Sequence, residues 1–125
     1  MRSLMIALAD DDAGVRAVLA MWLTKLGHVV VPVGGGRALV ELCRSGDFDL
    51  AVSDVDMPDG DGVTAAAELR LLCGLPVLLM SGGWTHELAL RAREAGAMCL
   101  DKPVLPLVLV AHLEEACGRR QPAAV

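Results

Sequence analysis

Acidic side chains are concentrated at residues 53–62, where the sequence is SDVDMPDGDG. Four aspartates occupy these ten positions, directly after the apolar run at residues 50–52. No lysine or arginine lies between Arg44 and Arg70 to balance them. A carboxylate can act as a nucleophile that forms an aspartyl-phosphate, and neighbouring carboxylates can hold Mg²⁺. Taken alone, Asp, Pro and Gly are equally the ordinary residues of a turn.

Polar side chains also follow three other apolar runs. They are Asp10, Asp11 and Asp12, then Ser81, and then Asp101 and Lys102. Separately, each group has a simple structural explanation: Asp11 or Asp12 can cap a helix, and a serine after a strand is commonly a turn residue. Phosphoryl transfer needs a divalent cation, a fixed positive charge and hydroxyl or amide donors around the phosphoryl oxygens. The joint occurrence of these groups therefore favours a phosphoryl-transfer site.

Short apolar runs alternate with helical patterns, and together they predict how these residues are positioned. The runs are typical of buried strands and lie at residues 4–9, 28–33, 48–53, 76–81 and 97–100. From Val15 to Leu26, apolar residues recur at i, i+3, i+4, i+7, i+8 and i+11, which predicts one face of a helix ended by Gly27. Because Pro32 cannot donate to a strand ladder, the second strand is expected at a sheet edge.

Five strands alternating with five helices predict a parallel sheet covered on both faces. Ligands of such sheets bind at the carboxyl ends of the strands, so the polar groups are expected to converge on one edge. Thr85 is expected to cap the fourth helix, and Pro106 to lie in the first turn of the fifth. That last helix begins PLVLVAHL, apolar on nearly all sides. Deeper burial and an apolar surface for a partner both explain this pattern.

Composition limits the functional classes. With 125 residues, 54% of them apolar and 22% charged, the chain is expected to form one folded domain. The net charge of −5 argues against direct binding to nucleic acid. No signal peptide or membrane-spanning run is evident, and the four scattered cysteines are typical of small buried side chains in a reducing compartment. A cytoplasmic protein without a membrane partner is expected.

Other phosphate and metal motifs fail. The segment GGGRAL has Leu39 where a dinucleotide-binding loop needs its third glycine. The acidic stretch fits a calcium-binding EF-hand in one register only, with Met57 at the first ligand position.

In their order, the segments IALADDD, DLAVSDVDMPDGDG, PVLLMSGG, EAGA and LDKPV resemble the receiver domain of response regulators. The resemblance covers residues 3–118. It implies a flavodoxin-like, doubly wound (βα)5 α/β fold whose five-stranded parallel sheet has the order 2-1-3-4-5. That order places the second strand at an edge, in agreement with Pro32. The receiver domain is expected at residues 1–118, followed by a disordered tail at residues 119–125.

The resemblance also implies roles for individual residues. Asp54 would be the phosphoacceptor, and the chain would act as a switch rather than as an enzyme. Mg²⁺ would be held by Asp10, Asp11, Asp54 and the backbone carbonyl of Asp56. Ser81 would reach the phosphoryl group in the active state, and Lys102 would pair with it. The implied donor is a sensor histidine kinase or a histidine phosphotransfer protein, and the implied output is contact of the last helices with a downstream protein or a second copy.

One position departs from the family pattern. Receivers usually carry Tyr or Phe three residues before the lysine, where this chain has Cys99. The usual aromatic switch is therefore absent from that position, and Trp84, three residues after Ser81, is a hypothetical substitute. An ordinary packing role for Trp84 is the alternative. The side chain of Asp56 lies two residues after the phosphoacceptor, a position whose side chain influences the rate of dephosphorylation in the family.

Two other functions compete with this interpretation. A haloacid-dehalogenase-like phosphatase would share a D-x-D motif, a strand-end serine and a lysine, but its second acidic pair follows the lysine. Here only Glu114 and Glu115 follow, inside a predicted helix. A receiver-like module that binds partners without phosphorylation is the other alternative, and the intact set of Asp11, Asp54, Ser81 and Lys102 argues against it.

Overall fold

The apolar runs form the five parallel strands that the sequence predicts. The computed structural model describes residues 2–118, so the predicted tail at residues 119–125 lies outside the described residues. The strands are β1 (Met5–Ala9), β2 (Val29–Val33), β3 (Leu50–Asp54), β4 (Val77–Ser81) and β5 (Met98–Asp101). They form one sheet in the order β2-β1-β3-β4-β5, with every pair parallel. The doubly wound fold and the edge position of β2, which contains Pro32, are confirmed.

Among residues 2–118, four helices connect successive strands and a fifth follows β5. They are α1 (Ala13–Lys25), α2 (Gly36–Ser45), α3 (Gly62–Cys73), α4 (His86–Glu94) and α5 (Pro106–Cys117). The Asp12 side chain caps α1 by accepting hydrogen bonds from the Gly14 and Val15 amides. Thr85 caps α4 in the same manner by accepting from Leu88 N, which leaves fewer orphan amides at the helix start.

The sheet separates two apolar cores. Side chains of successive strand residues point to opposite faces, so Ala7 and Leu79 pack in one core while Leu8 and Leu78 pack in the other. Helices α2, α3 and α4 cover the first face, and α1 and α5 cover the second. All residues of β3 and β4 are buried, because these strands lie inside the sheet and are covered on both sides.

Helix α1 buries less of its predicted apolar face than the periodicity indicates. Leu19 and Leu23 are buried, whereas Val15 and Val18 are exposed. The two valines line an open groove of about 500 Å³ that also includes Pro103. Among the residues of α1, only Leu19 and Leu23 are buried, and the valines of its first turns stay open to solvent.

The burial of individual residues in α5 distinguishes the two explanations of its apolar sequence. Leu109 and Leu113 are buried, but Leu107 is 85% exposed and Val108 is also exposed. Deeper burial is therefore wrong for the first turn, which instead presents an apolar surface. None of the helices among residues 2–118 has the length and apolar character needed to cross a bilayer.

Candidate functional site

Strand pairing brings the predicted polar residues to one edge of the sheet. Ala9 of β1 pairs with Ser53 of β3, so Asp10 and Asp54 extend from neighbouring strand ends. On the other side, Ser81 of β4 pairs with Asp101 of β5, immediately before Lys102. The convergence follows from register alone, since parallel strands end at the same edge.

Three carboxylates meet at this edge. Asp10, Asp11 and Asp54 each have a carboxylate oxygen within 4.8 Å of those of the other two. Asp10 is 0% exposed and Asp54 is 6% exposed, while Asp11 faces solvent. Mg²⁺ prefers a few carboxylate oxygens and retains several waters, so this set of oxygen donors with one open side fits that ion.

Lys102 supplies the cation that the acidic stretch lacks in sequence. Its Nζ lies 3.1 Å from Asp10 Oδ2 and 3.2 Å from Asp54 Oδ2. Burial acts to lower the pKa of Lys102, but its hydrogen bonds and ion pairs with the two carboxylates outweigh that effect and raise it. Burial raises the pKa of Asp54, assisted by repulsion from Asp10 and opposed by Lys102. The site therefore has more negative charge than one lysine neutralises.

The loop after β1 is held in place around Asp10. Asp10 Oδ1 accepts a hydrogen bond from Asp12 N at 2.9 Å. Arg16 reaches back from α1 and donates through Nη1 to the backbone carbonyl of Asp10 at 2.7 Å. Sequence analysis did not identify Arg16, because its partner is a backbone carbonyl and carries no sequence signal.

Ser81 stands at the same edge and is buried. Its Oγ accepts a hydrogen bond from the Gly83 amide at 3.0 Å, which places the hydroxyl at the start of the loop before α4. In the described part of the chain, Ser81 is thus engaged with its own loop, and a turn of its side chain toward Asp54 would release the Gly83 amide.

The acidic stretch 53–62 divides into residues with separate tasks. The Asp56 side chain is exposed, and the Asp56 backbone amide acts to lower the pKa of Asp54. Asp61 caps α3 by accepting from Thr64 N at 2.9 Å and Thr64 Oγ1 at 3.0 Å. Burial acts to raise the pKa of Asp61, but these hydrogen bonds outweigh it and lower the pKa. Asp59 accepts a hydrogen bond from Gly36 N of α2 at 2.9 Å.

Trp84 connects the loop after β4 to β5. Its indole Nε1 donates to the Leu100 carbonyl at 2.7 Å, and the half-buried ring packs in the same core as Cys99. Burial raises the pKa of the Cys99 thiol, with Arg93 opposing that effect. An aromatic side chain thus contacts β5 from the loop that follows Ser81, rather than from a position within β5.

Comparison with known proteins agrees with this geometry. A family model described as the response regulator receiver domain matches residues 6–114. The transcriptional regulatory protein PdtaR of Mycobacterium tuberculosis is 35% identical over 116 residues, which cover 91% of this chain and 57% of that protein. The DNA-binding transcriptional regulator NtrC of Azospirillum brasilense is 35% identical over 121 residues, covering 95% of this chain and 25% of that protein.

A solved structure shows the same fold. The signal receiver domain of a modulated diguanylate cyclase from Desulfovibrio desulfuricans superposes with a TM-score of 0.86 at 26% identity, covering 95% of this chain and 97% of that one. The chain spans little more than half the length of PdtaR and a quarter of NtrC.

Proposed function

Because this chain belongs to the response regulator receiver family, we propose that its Asp54 accepts a phosphoryl group from a sensor histidine kinase or a histidine phosphotransfer protein. The observation that carries the assignment is the position of Asp54 among its neighbours. Asp10 and Asp54 both pair with Lys102 and both belong to the three-carboxylate cluster. Asp10 is fully covered, whereas Asp54 lies at the end of the central strand β3 and keeps some exposed surface. No observation favours a phosphatase or a phosphorylation-independent module.

The proposed reaction is a single phosphoryl transfer to Asp54. A carboxylate oxygen of Asp54 attacks the phosphorus of a phosphohistidine; the P–O bond forms as the P–N bond breaks, and the imidazole nitrogen leaves with the electron pair. Lys102 stays beside the new phosphoryl oxygens and offsets their charge. Asp10, Asp11, Asp54 and the Asp56 carbonyl would hold Mg²⁺, which supplies the remaining positive charge when bound.

The conformational response begins at Ser81. Its hydroxyl would turn to the phosphoryl group and release the Gly83 amide, which frees the loop before α4 to move. Such a change shifts the population between two conformations that a partner distinguishes. The exposed Leu107 and Val108 of α5 are the proposed contact for that downstream protein or for a second copy of the chain. The free cysteines agree with a reducing, cytoplasmic setting.

Acetyl phosphate with Mg²⁺ tests the phosphoacceptor. Wild type is expected to gain the mass of one phosphoryl group, and Asp54→Asn to gain none. Asp47→Asn is the matched control, because it removes an exposed acid that lies before β3 and outside the site. Labelling that persists in Asp54→Asn would refute the assignment. Multiple turnover of p-nitrophenyl phosphate by wild type would instead support the phosphatase.

Magnesium titration tests the metal site independently of labelling. Because burial and the neighbouring Asp10 disfavour the charged form of Asp54, Asp54→Asn without metal is expected to be more stable than wild type. Mg²⁺ at a hundredfold its Kd should stabilise wild type by about 2.7 kcal/mol and Asp54→Asn by far less. Equal stabilisation of both proteins in thermal unfolding would place the metal elsewhere.

A further inference from the structure

Helix α2 begins at a residue that has no side chain with which to cap it. Its N-cap is Gly35, and no side-chain hydrogen bond comes from that position. The missing acceptor comes from the loop between β3 and α3, residues 55–61, where Asp59 Oδ1 accepts from Gly36 N at 2.9 Å. An acid of the loop after the proposed phosphoacceptor thus caps a helix that lies earlier in the chain.

The two glycines at the start of α2 fit this loop sterically. A Cβ on Gly35 would overlap the Asp59 carboxylate, and a Cβ on Gly36 would overlap the Gly60 carbonyl. Gly35 has φ −168° and ψ 171°, an extended conformation that any residue adopts, so its backbone does not require glycine. The absence of a side chain on Gly35 therefore leaves the space that the Asp59 carboxylate occupies when it caps α2.

The same loop carries Asp56, two residues after the proposed phosphoacceptor. At its start, the Asp56 backbone amide acts to lower the pKa of Asp54 and so favours the charged carboxylate. At its far end, Gly62 N donates to the Val55 carbonyl at 2.8 Å, and Asp61 caps α3. Between these ends, Met57 is buried and the Asp59 carboxylate makes the contact to α2. Asp59 thus provides the side-chain hydrogen bond that joins the middle of the loop to α2.

We propose that Asp59 is a positioning residue for the phosphorylation site. By tying the loop to the start of α2, it fixes where the Asp56 carbonyl and amide stand relative to Asp54, and so sets the affinity for Mg²⁺ and the rate of phosphoryl acceptance. This inference rests on the proposed function, because it assigns Asp59 a role in the same site. A cap that stabilises α2 and nothing else is the competing explanation.

Three variants separate the two explanations. Asp59→Ala removes the tether. Asp59→Asn removes the charge but keeps an acceptor oxygen for Gly36 N. The double variant Gly35→Asn with Asp59→Ala gives α2 a conventional cap from its own N-cap position while leaving the loop untied, since the carboxylate that would clash with the new side chain is gone.

The readouts are the Mg²⁺ Kd from NMR titration of backbone amides, the midpoint of urea unfolding, and the rate of labelling by acetyl phosphate. Asp59→Ala should lower the unfolding midpoint and weaken Mg²⁺ binding by about tenfold. Asp59→Asn should keep the Mg²⁺ Kd within about twofold of wild type. The double variant should regain the unfolding midpoint yet keep the weakened Mg²⁺ binding and slow labelling.

Recovery of wild-type Mg²⁺ affinity by the double variant would overturn the proposal, because capping alone would then explain the effect. An unchanged Kd in Asp59→Ala, or an equal loss in Asp59→Asn, would overturn it as well. The wild-type control distinguishes this failure from that of the proposed function. If wild type neither binds Mg²⁺ nor is labelled on Asp54, the proposed function fails first.

Discussion

The ammonium nitrogen of Lys102 lies 3.2 Å from Oδ2 of Asp54, joining the loop after β5 to the end of β3. The same nitrogen lies 3.1 Å from Asp10, a carboxylate with no exposed surface. Two carboxylates therefore share one cation. This arrangement explains how an acidic stretch without a local counter-charge is tolerated in the fold.

Replacing Lys102 with Met is expected to destabilise the metal-free protein by roughly 3 kcal/mol, because it leaves Asp10 buried without its counter-charge. Urea unfolding without metal measures this loss. Lys102→Arg keeps the positive charge and should lose less. Labelling by acetyl phosphate should also slow in Lys102→Met. A variant as stable as wild type would contradict the prediction.

Gly62 is expected to tolerate no side chain. A Cβ there would overlap the backbone carbonyl of Asp54 and approach Leu79 Cδ2 to 2.9 Å, so the start of α3 or the end of β3 must shift. Gly62→Ala should cost about 2 kcal/mol in unfolding free energy and weaken Mg²⁺ binding. Gly83→Ala is the matched control, since nothing lies within 4 Å of its added Cβ. Equal stability of the two variants would contradict the prediction.

Local signals in the sequence were sufficient for much of the fold and for the main site residues. Pro32 predicts the edge strand because a missing donor is a property of one residue. Asp12 and Thr85 predict helix caps because capping is contact within a single turn. The meeting of Asp10, Asp54 and Lys102 follows from strand ends in a parallel sheet and requires no knowledge of side-chain contacts.

The remaining features depend on packing between elements distant in sequence. In the sequence, Asp59 cannot be told apart from any other aspartate in a turn. Only the structure shows that it lies beside Gly35 and caps α2. Val15 and Val18 fit the helical period of α1 but are exposed. The period of apolar residues indicates which face of a helix is apolar, but it does not indicate how much of that face is buried. For the same reason, the sequence left two explanations for the start of α5.

Trp84 is expected to report the conformational response. Turning the Ser81 hydroxyl from the Gly83 amide toward the phosphoryl group moves the loop that carries Trp84, and strains its 2.7 Å hydrogen bond to Leu100. In a Trp22→Phe background, acetyl phosphate with Mg²⁺ should therefore change the Trp84 emission. Asp54→Asn in the same background is the control and should show no change. Unchanged emission in the phosphorylated protein would leave Trp84 with a packing role only.

His28 predicts how stability depends on pH. The side chain is 5% exposed, and its Nδ1 accepts a hydrogen bond from the Leu4 amide at 3.0 Å. Burial lowers the pKa of His28 below its ordinary value of 6.5, so the folded state holds the neutral ring. Protonation would convert this acceptor into a donor facing the Leu4 N–H.

The sign of the effect follows from proton binding. Below about pH 6.5 the unfolded chain takes up a proton on His28 that the folded chain resists, so the stabilising contribution is full above that pH and is lost as pH falls through the lowered pKa. Urea unfolding at about pH 7.5 and about pH 5.5 measures this loss. His28→Asn keeps an acceptor oxygen for Leu4 N but does not titrate, so its stability should fall less than that of wild type over the same interval. Equal losses in the two proteins would show that other groups cause the acid sensitivity.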